Sequence, residues 1–306
     1  MDFYRGQAFA HGTIKTYQTH FKSYMDFCEK MGIKPVPVTD QVVAQYAAYL
    51  ARRLKPSSVR QYINIIRILH LECNFPNPCA DSWYLKTTLK GIEKVKGTEV
   101  IRKCPITPQI LLGIKRQINF GKTNDCVFWA ACLTMFFGLL RKSNLFGTDK
   151  VGFDKDKQIT KEDIVVEKDH LSVTIFCKWS KTNQSKGKIH KVNLAVIKDH
   201  PLCPVAALLH MFQAIGARAP TSQAFPMTGA AFNARLRALT ARGASITSHS
   251  LRRGGATWAL SCQIPGEIVK AMGQWESTCY LVYLDQIPQS VINHYREEFN
   301  KRLPYQ

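Results

Sequence analysis

The chain has 306 residues, 45% of them hydrophobic, which suffices for a sizeable core and, at this length, suits two domains better than one. Lysine and arginine number 42 against 22 aspartates and glutamates, and the resulting formal charge of +20 favours a polyanionic partner. There is no apolar run of about 18 residues or more, and Met1-Asp-Phe-Tyr-Arg5 lacks the apolar segment of a secretion signal, so neither a membrane protein nor a secreted one is expected; a soluble intracellular protein is.

Helical patterns fill the first hundred residues. From Thr13 to Met31 the apolar and aromatic positions Ile14, Tyr17, Phe21, Tyr24, Met25 and Cys28 make one stripe, which Gly32 ends ahead of Pro35 and Pro37. Thr39-Asp40 starts a second helix through Leu54, and Pro56-Ser57-Ser58 starts a third through Leu71. A shorter fourth covers Tyr84 to Val95. Arg52, Arg53, Lys55, Arg60 and Arg67 give this bundle a basic surface suited to DNA, although such residues are also ordinary solvated charges.

From Lys96 to Pro108 the periodicity lapses into Gly97, charged residues and two prolines, the texture of a linker. The expected organisation is a helical domain over 1–96, a linker over 97–107 and a second domain over 108–306. Thr107-Pro108 opens a helix, and the apolar stretch from Asp125 to Leu140 reads as a fully buried helix that delivers Arg141 at its end. Ile164 to Val166, Leu171 to Trp179 and Lys188 to Val196 are rich in β-branched residues and separated by turn formers, predicting a small three-stranded antiparallel sheet. Helices resume after Pro204, and Pro288 to Leu303 reads as a last amphipathic one. The fold class is mainly α with a small antiparallel sheet. Ten cysteines occur singly without a Cys-x-x-Cys pair, so neither a zinc site nor a disulfide framework is expected.

One ordered set of residues carries chemistry: Arg141, Lys181, His249 with Arg252, and Tyr283. Breaking a phosphodiester without metal requires cations against the nonbridging oxygens, a nucleophile, and an acid for the leaving group. Guanidinium is permanently charged and its planar fork bonds two phosphate oxygens, which suits Arg141 and Arg252 to the first task. His249 lies three residues before Arg252, so on a helix both face one phosphate, and its near-neutral pKa permits proton transfer with an attacking hydroxyl. The small residues of Arg253-Gly-Gly-Ala-Thr257 allow close packing beneath such a site. Lys181, at the turn between two strands, is placed to protonate a departing 5′ oxygen, with Lys178, Lys186 and Lys188 as neighbours of the same type. Tyr283 is the candidate nucleophile, with Tyr280 its rival one helical turn earlier.

In order and spacing, Gly138-Leu-Leu-Arg-Lys-Ser-Asn-Leu145, the Ser-Lys-Thr of 180–182, His249-Ser-Leu-Arg-Arg-Gly-Gly-Ala-Thr257 and Gly273-Gln-Trp-Glu-Ser-Thr-Cys-Tyr-Leu-Val-Tyr283 resemble the tyrosine recombinases and phage integrases. The resemblance runs over about Thr107 to Ile287 for the catalytic domain and roughly residues 10 to 95 for the helical core-binding domain. Leu202-Cys-Pro-Val205, the second arginine box and Gly273-Gln-Trp275 are most similar to the recombinases of Crypton and DIRS-type mobile elements.

This resemblance implies a metal- and ATP-independent, cofactor-free enzyme that grips a specific site on duplex DNA between its two domains. Strand exchange would pass through a 3′-phosphotyrosyl link and a four-way junction, in a homotetramer with no membrane partner, in the nucleus. Arg141, Lys181, His249, Arg252 and Tyr283 take the catalytic roles, and Arg52, Arg53, Lys55, Arg60, Arg67, Lys178, Lys186 and Arg253 contact DNA. The alternatives are a type IB topoisomerase-like enzyme and a non-catalytic DNA-binding descendant.

Two positions depart from the family pattern. Asn144 stands where an acidic residue is usual, so Arg141 needs another partner for its orientation. In the third box Gln274 holds the place usually given to His or Trp; Trp275 follows, whose indole N–H suits phosphate, with Gln274 the alternative.

Overall fold

The computed structural model describes residues 6, 8–98, 103–147, 152–168, 171–179, 189–240, 245–278 and 281. The chain divides into two compact units, Met1–Ile101 and Arg102–Gln306.

Among its described residues the first unit carries the helices α1 (His11–Met31), α2 (Asp40–Ala51), α3 (Pro56–Glu72) and α4 (Trp83–Lys96). Helix α1 stops where predicted because Gly32 adopts the left-handed conformation at φ 64° and returns its N–H to the last turn. Pro56 opens α3, where its missing N–H has no helical partner to lose. Helix α2 ends at Ala51, short of the predicted Leu54; the intervening residues form a terminal turn in which Leu54 N–H still donates to Leu50 O at 2.9 Å. Ser82 caps α4 by accepting from Leu85 N–H at 3.0 Å, while its hydroxyl donates to Asp40 at 2.5 Å and so ties α4 to the start of α2. Tyr24, Phe27, Tyr46, Leu50 and Ile66 fill the core.

The second unit opens with α5 (Pro108–Lys115) and α6 (Thr123–Phe137). Helix α6 is buried from Asp125 to Phe136 and almost wholly apolar there, as its sequence predicts. Its single early carboxylate, Asp125, is buried in a two-pronged pair with Arg235 at 3.1 and 2.9 Å. A short helix α7 (Lys142–Leu145) follows, then strands β1 (Ile164–Val166), β2 (Ser172–Cys177) and β3 (His190–Ala195). They pair antiparallel in the order β1-β2-β3, with Ile164 opposite Ile175 and Val173 opposite Leu194. Strand β1 spans the predicted residues, while β2 and β3 lie inside the predicted stretches and are shorter at both ends. Helices α8 (Pro204–Ile215), α9 (Gly229–Ala238), α10 (Ser248–Ser261) and α11 (Gly266–Met272) complete the described elements. Among the described residues no helix is long and apolar enough to cross a membrane. The predicted C-terminal helix, Pro288 to Leu303, lies outside them.

Residues 103–106, read in the sequence as linker, run along the second unit. Cys104 N–H donates to Ser245 O and Ile106 N–H to Ser250 O, and Ile106 is fully buried. Helix α10 approaches that segment and α6 through bare backbone. A Cβ on Gly254 would stand 1.8 Å from Ile106 O, and one on Gly255 1.9 Å from Phe136 O. Since main-chain carbonyls of a helix end and a hydrogen-bonded segment cannot step aside like side chains, Gly254→Ala or Gly255→Ala is expected to lower stability by about 2 to 3 kcal/mol, the upper part of the range for core overpacking. Urea denaturation checks this, and a shift under about 0.5 kcal/mol would show that α10 has room to slide.

Candidate phosphodiester site

Three segments of the second unit meet at Arg252. Helix α10 carries His249 in its first turn and Arg252 one turn later, so both lie on one face, as the three-residue spacing predicts. The helix starts cleanly because Ser250 Oγ accepts from Thr247 N–H at 3.1 Å while Ser250 N–H donates to Thr247 O at 2.8 Å. Arg252 is only 3% exposed. Its Nη1 donates to Leu139 O and its Nη2 to Gly273 O, and the guanidinium lies 4.2 Å from the centre of the Trp275 ring.

Both acceptor segments follow a helix C-terminus, where carbonyls point outward with the negative end of the helix dipole. Both also turn sharply. Leu139, immediately after α6, is buried at φ 50°, and Gln274, after α11, sits at φ 52°. Left-handed conformations cost of order 1 kcal/mol in such residues and persist where surrounding contacts hold them. Here Arg252 grips one turn directly and the other through the preceding carbonyl. Gly273 is required for a different reason: a Cβ there would fall 1.8 Å from the Trp275 ring, so only glycine lets the indole fold back over the guanidinium.

Arg141 leaves α6 by way of Leu139 and Leu140 and stands at the start of α7 in extended backbone, half-buried. Its N–H donates to Asn144 Oδ1 at 3.0 Å, and Asn144 Nδ2 donates to Trp179 O at 2.8 Å. The orientation that an acidic residue was expected to supply is thus met at the main chain by a buried amide. His249 is an exposed residue, yet the protein around its ring still desolvates it. Together with the charges of Arg252, Arg141 and Arg253 this holds its pKa below the usual 6.5. With its pKa lowered, the ring is neutral near pH 7, the form that can accept a proton.

The structure separates the remaining candidates. Trp275 is buried with its ring against Arg252, whereas Gln274 is half-buried in the turn. Arg253 is also buried, and donates to Lys103 O at 2.7 Å, which braces α10 against residues 103–106. Lys178 pairs with Asp163 at 2.6 Å and lies 3.3 Å from Thr160 Oγ1. Arg60 spends its Nε and Nη2 on Glu93 at 3.1 and 2.9 Å. Arg52, Lys55 and Arg67 are exposed, and Arg53, also exposed, lies 5.3 Å over the Tyr49 ring. Lys181, Lys186 and Tyr283, and the rivals Lys188 and Tyr280, lie outside the described residues.

His190 was not singled out in the sequence. At the head of β3 it donates from Nε2 to Met272 O at 3.2 Å, next to the turn that supplies Gly273 O, and burial followed by the Arg252 charge keeps its pKa below 6.5. A lone histidine in a strand gives no warning of this; the contact exists only once β3 packs beside α11. His20, buried in the first unit against Tyr62 with ring centres 4.0 Å apart, is lowered by burial too. For all three rings the folded pKa is below the unfolded one. At pH below about 6.5 the unfolded chain therefore binds more protons, and stability declines as pH falls through that value. Urea titrations between about pH 7.5 and 5.5 are expected to show this decline; a flat profile would mean the rings ionise freely in the folded state.

The solved structures place the architecture. Over 97% of this chain and 96% of the other, the Tn1549 transposon integrase in complex with transposon right end DNA superposes with a TM-score of 0.63 at 13% identity. The XerH site-specific recombinase bound to a palindromic difH substrate gives 0.62 at 13% identity over 92% of this chain and 79% of that one. A lambda integrase dimer bound to a core site gives 0.60 at 16% identity over 93% and 92%. The fold is that of the tyrosine recombinases. Residues 1–72 match the family model for the phage integrase N-terminal SAM-like domain. An integrase/recombinase XerD homolog from Selenomonas ruminantium is 24% identical over 139 residues, covering 44% of this chain. The chain spans 40% of the length of that curated relative. Among the described residues, Arg252 touches the turns at Leu139 and Gly273 and lies against Trp275, with Arg141 and His249 nearby.

Proposed function

We propose that the protein is a site-specific DNA recombinase that cuts and rejoins duplex DNA through a covalent 3′-phosphotyrosyl intermediate. One observation carries the reading: α6–α7, α10 and the turn after α11 bring Arg141, His249 and Arg252 to bear on one another, with the imidazole held neutral. Arg141 and Arg252 stabilise the charge that develops on the nonbridging oxygens. Tyr283 Oη attacks phosphorus as His249 takes its proton, the P–O5′ bond breaks, and Lys181 supplies a proton to the departing 5′ oxygen. A 5′ hydroxyl from another strand reverses the step, and because the phosphotyrosyl link conserves the bond energy, no ATP is consumed.

The first unit serves as the core-binding domain and the second as the catalytic domain. Exposed Arg52, Arg53, Lys55 and Arg67 contribute phosphate contacts, so affinity falls steeply with salt. The finer reading is a mobile-element recombinase of the Crypton or DIRS type, working in the nucleus as a tetramer on a specific DNA site. The DNA-bound recombinases of the same fold support DNA as the partner.

The test is incubation with nicked duplexes carrying the ends of the element, followed by denaturing gel electrophoresis. A covalent protein–DNA species is expected, joined to a second duplex when one is present. Salt-sensitive binding without any such species would leave only a DNA-binding protein. Catalytic relaxation of a plasmid without a defined site would indicate a topoisomerase.

A further inference from the structure

Asn144 joins two parts of the second unit that are far apart in sequence. It is 4% exposed, and both ends of its amide are engaged: Oδ1 accepts from Arg141 N–H at 3.0 Å, and Nδ2 donates to Trp179 O at 2.8 Å. Its main chain tightens the same knot, for Asn144 N–H donates to Arg141 O at 2.9 Å and Asn144 O accepts from Ile159 N–H at 2.8 Å. Trp179 follows β2 and precedes Lys181 by two residues in the sequence. The first arginine and the chain leading to the candidate lysine therefore meet at one side chain.

The chemistry of the bridge requires an amide. Asparagine has an acceptor and a donor at its tip, whereas an ionised aspartate of the same shape has acceptors only. A carboxylate at 144 would still accept from Arg141 N–H, but it would set a charged oxygen against the Trp179 carbonyl and leave that carbonyl without its donor. The resemblance made Asn144 look like the loss of an orienting acid; its contacts make it a bridge that an acid cannot form.

We infer that Asn144 is a positioning residue, whose amide fixes the backbone of Arg141 relative to Trp179 at the end of β2 and so sets where the first arginine stands against the scissile phosphate. Its catalytic consequence rests on the recombinase reading above. Displacement of a positioned group by a fraction of an ångström acts on the chemical step more than on binding.

Single-turnover cleavage of a nicked duplex at saturating DNA, run beside a binding titration and a thermal melt near pH 8, separates the two effects. Asn144→Asp is expected to bind DNA within about threefold of the native chain and to form adduct at least about tenfold more slowly at saturation. Asn144→Ala, uncharged and lacking both bonds, carries the same test should a buried carboxylate prevent folding. Native cleavage rates in Asn144→Asp would overturn the inference, as would a loss that lies wholly in the dissociation constant.

Hydrogen exchange keeps this separate from the recombinase reading. If the native chain forms no adduct, that reading falls by itself, and the bridge is then judged by its amides. The expected result is that Arg141 N–H stays protected in Asn144→Asp but not in Asn144→Ala, while peptides spanning 172–179 exchange faster in both. Unchanged protection over 172–179 in both variants would overturn the coupling.

Discussion

Tyr283→Phe is expected to bind duplex DNA as tightly as the native chain and to form no covalent adduct. The substitution removes one oxygen and leaves the ring, so the phosphate contacts that dominate affinity are untouched while the atom that must bond to phosphorus is gone. The loss should therefore reach the detection limit of a denaturing gel rather than a partial value. Tyr280→Phe is the companion variant, expected to retain adduct formation. Adduct from Tyr283→Phe together with none from Tyr280→Phe would move the nucleophile one helical turn earlier.

Arg252→Lys has the second-largest expected effect and touches both stability and chemistry. The guanidinium reaches Leu139 O and Gly273 O at once and lies 4.2 Å from the centre of the Trp275 ring, a geometry an ammonium cannot reproduce. At least one buried carbonyl then loses its charged donor, which predicts destabilisation of about 1.5 to 3 kcal/mol in urea denaturation. Loss of a preorganised donor at the transition state, with the two turns loosened, predicts a fall of about 10² to 10³ in single-turnover adduct formation. Arg141→Lys should separate these effects. Its side chain is half-buried where that of Arg252 is 3% exposed, so the rate should fall with less loss of stability. Equal destabilisation by the two variants would show that Arg252 is not the structural keystone of the site.

Much of this architecture could be read from residues in order, because the signals are local. Gly32, Pro56 and Thr107-Pro108 mark helix ends through backbone chemistry that operates within a few residues. The uninterrupted apolar stretch of α6 admits no solvent face, and the β-branched runs around Ile164, Val173 and Val192 are strand-forming wherever they fall. What escaped the sequence is tertiary. Arg60 and Lys178 read as surface cations, yet their partners Glu93 and Asp163 are set opposite them only by folding. Arg253 sits beside Arg252 in the motif but is turned to Lys103 O, a distinction that helix rotation alone decides. Leu139 carries no mark of its left-handed backbone, since neither glycine nor asparagine occupies the position; tertiary contacts impose it. The candidate site was legible as a set of residue types in order, while the carbonyls, turns and amide that aim them were not.

The gathering of guanidiniums around His249 has a thermodynamic corollary. Arg141, Arg252 and Arg253 all depress the same imidazole, which means that the free protein holds like charges together against their mutual repulsion. On the recombinase reading, an arriving phosphate would act as the counterion for that cluster and relieve the repulsion. The polyanion would in this sense belong to the second unit's own electrostatic balance, with folding and DNA capture drawing on the same field.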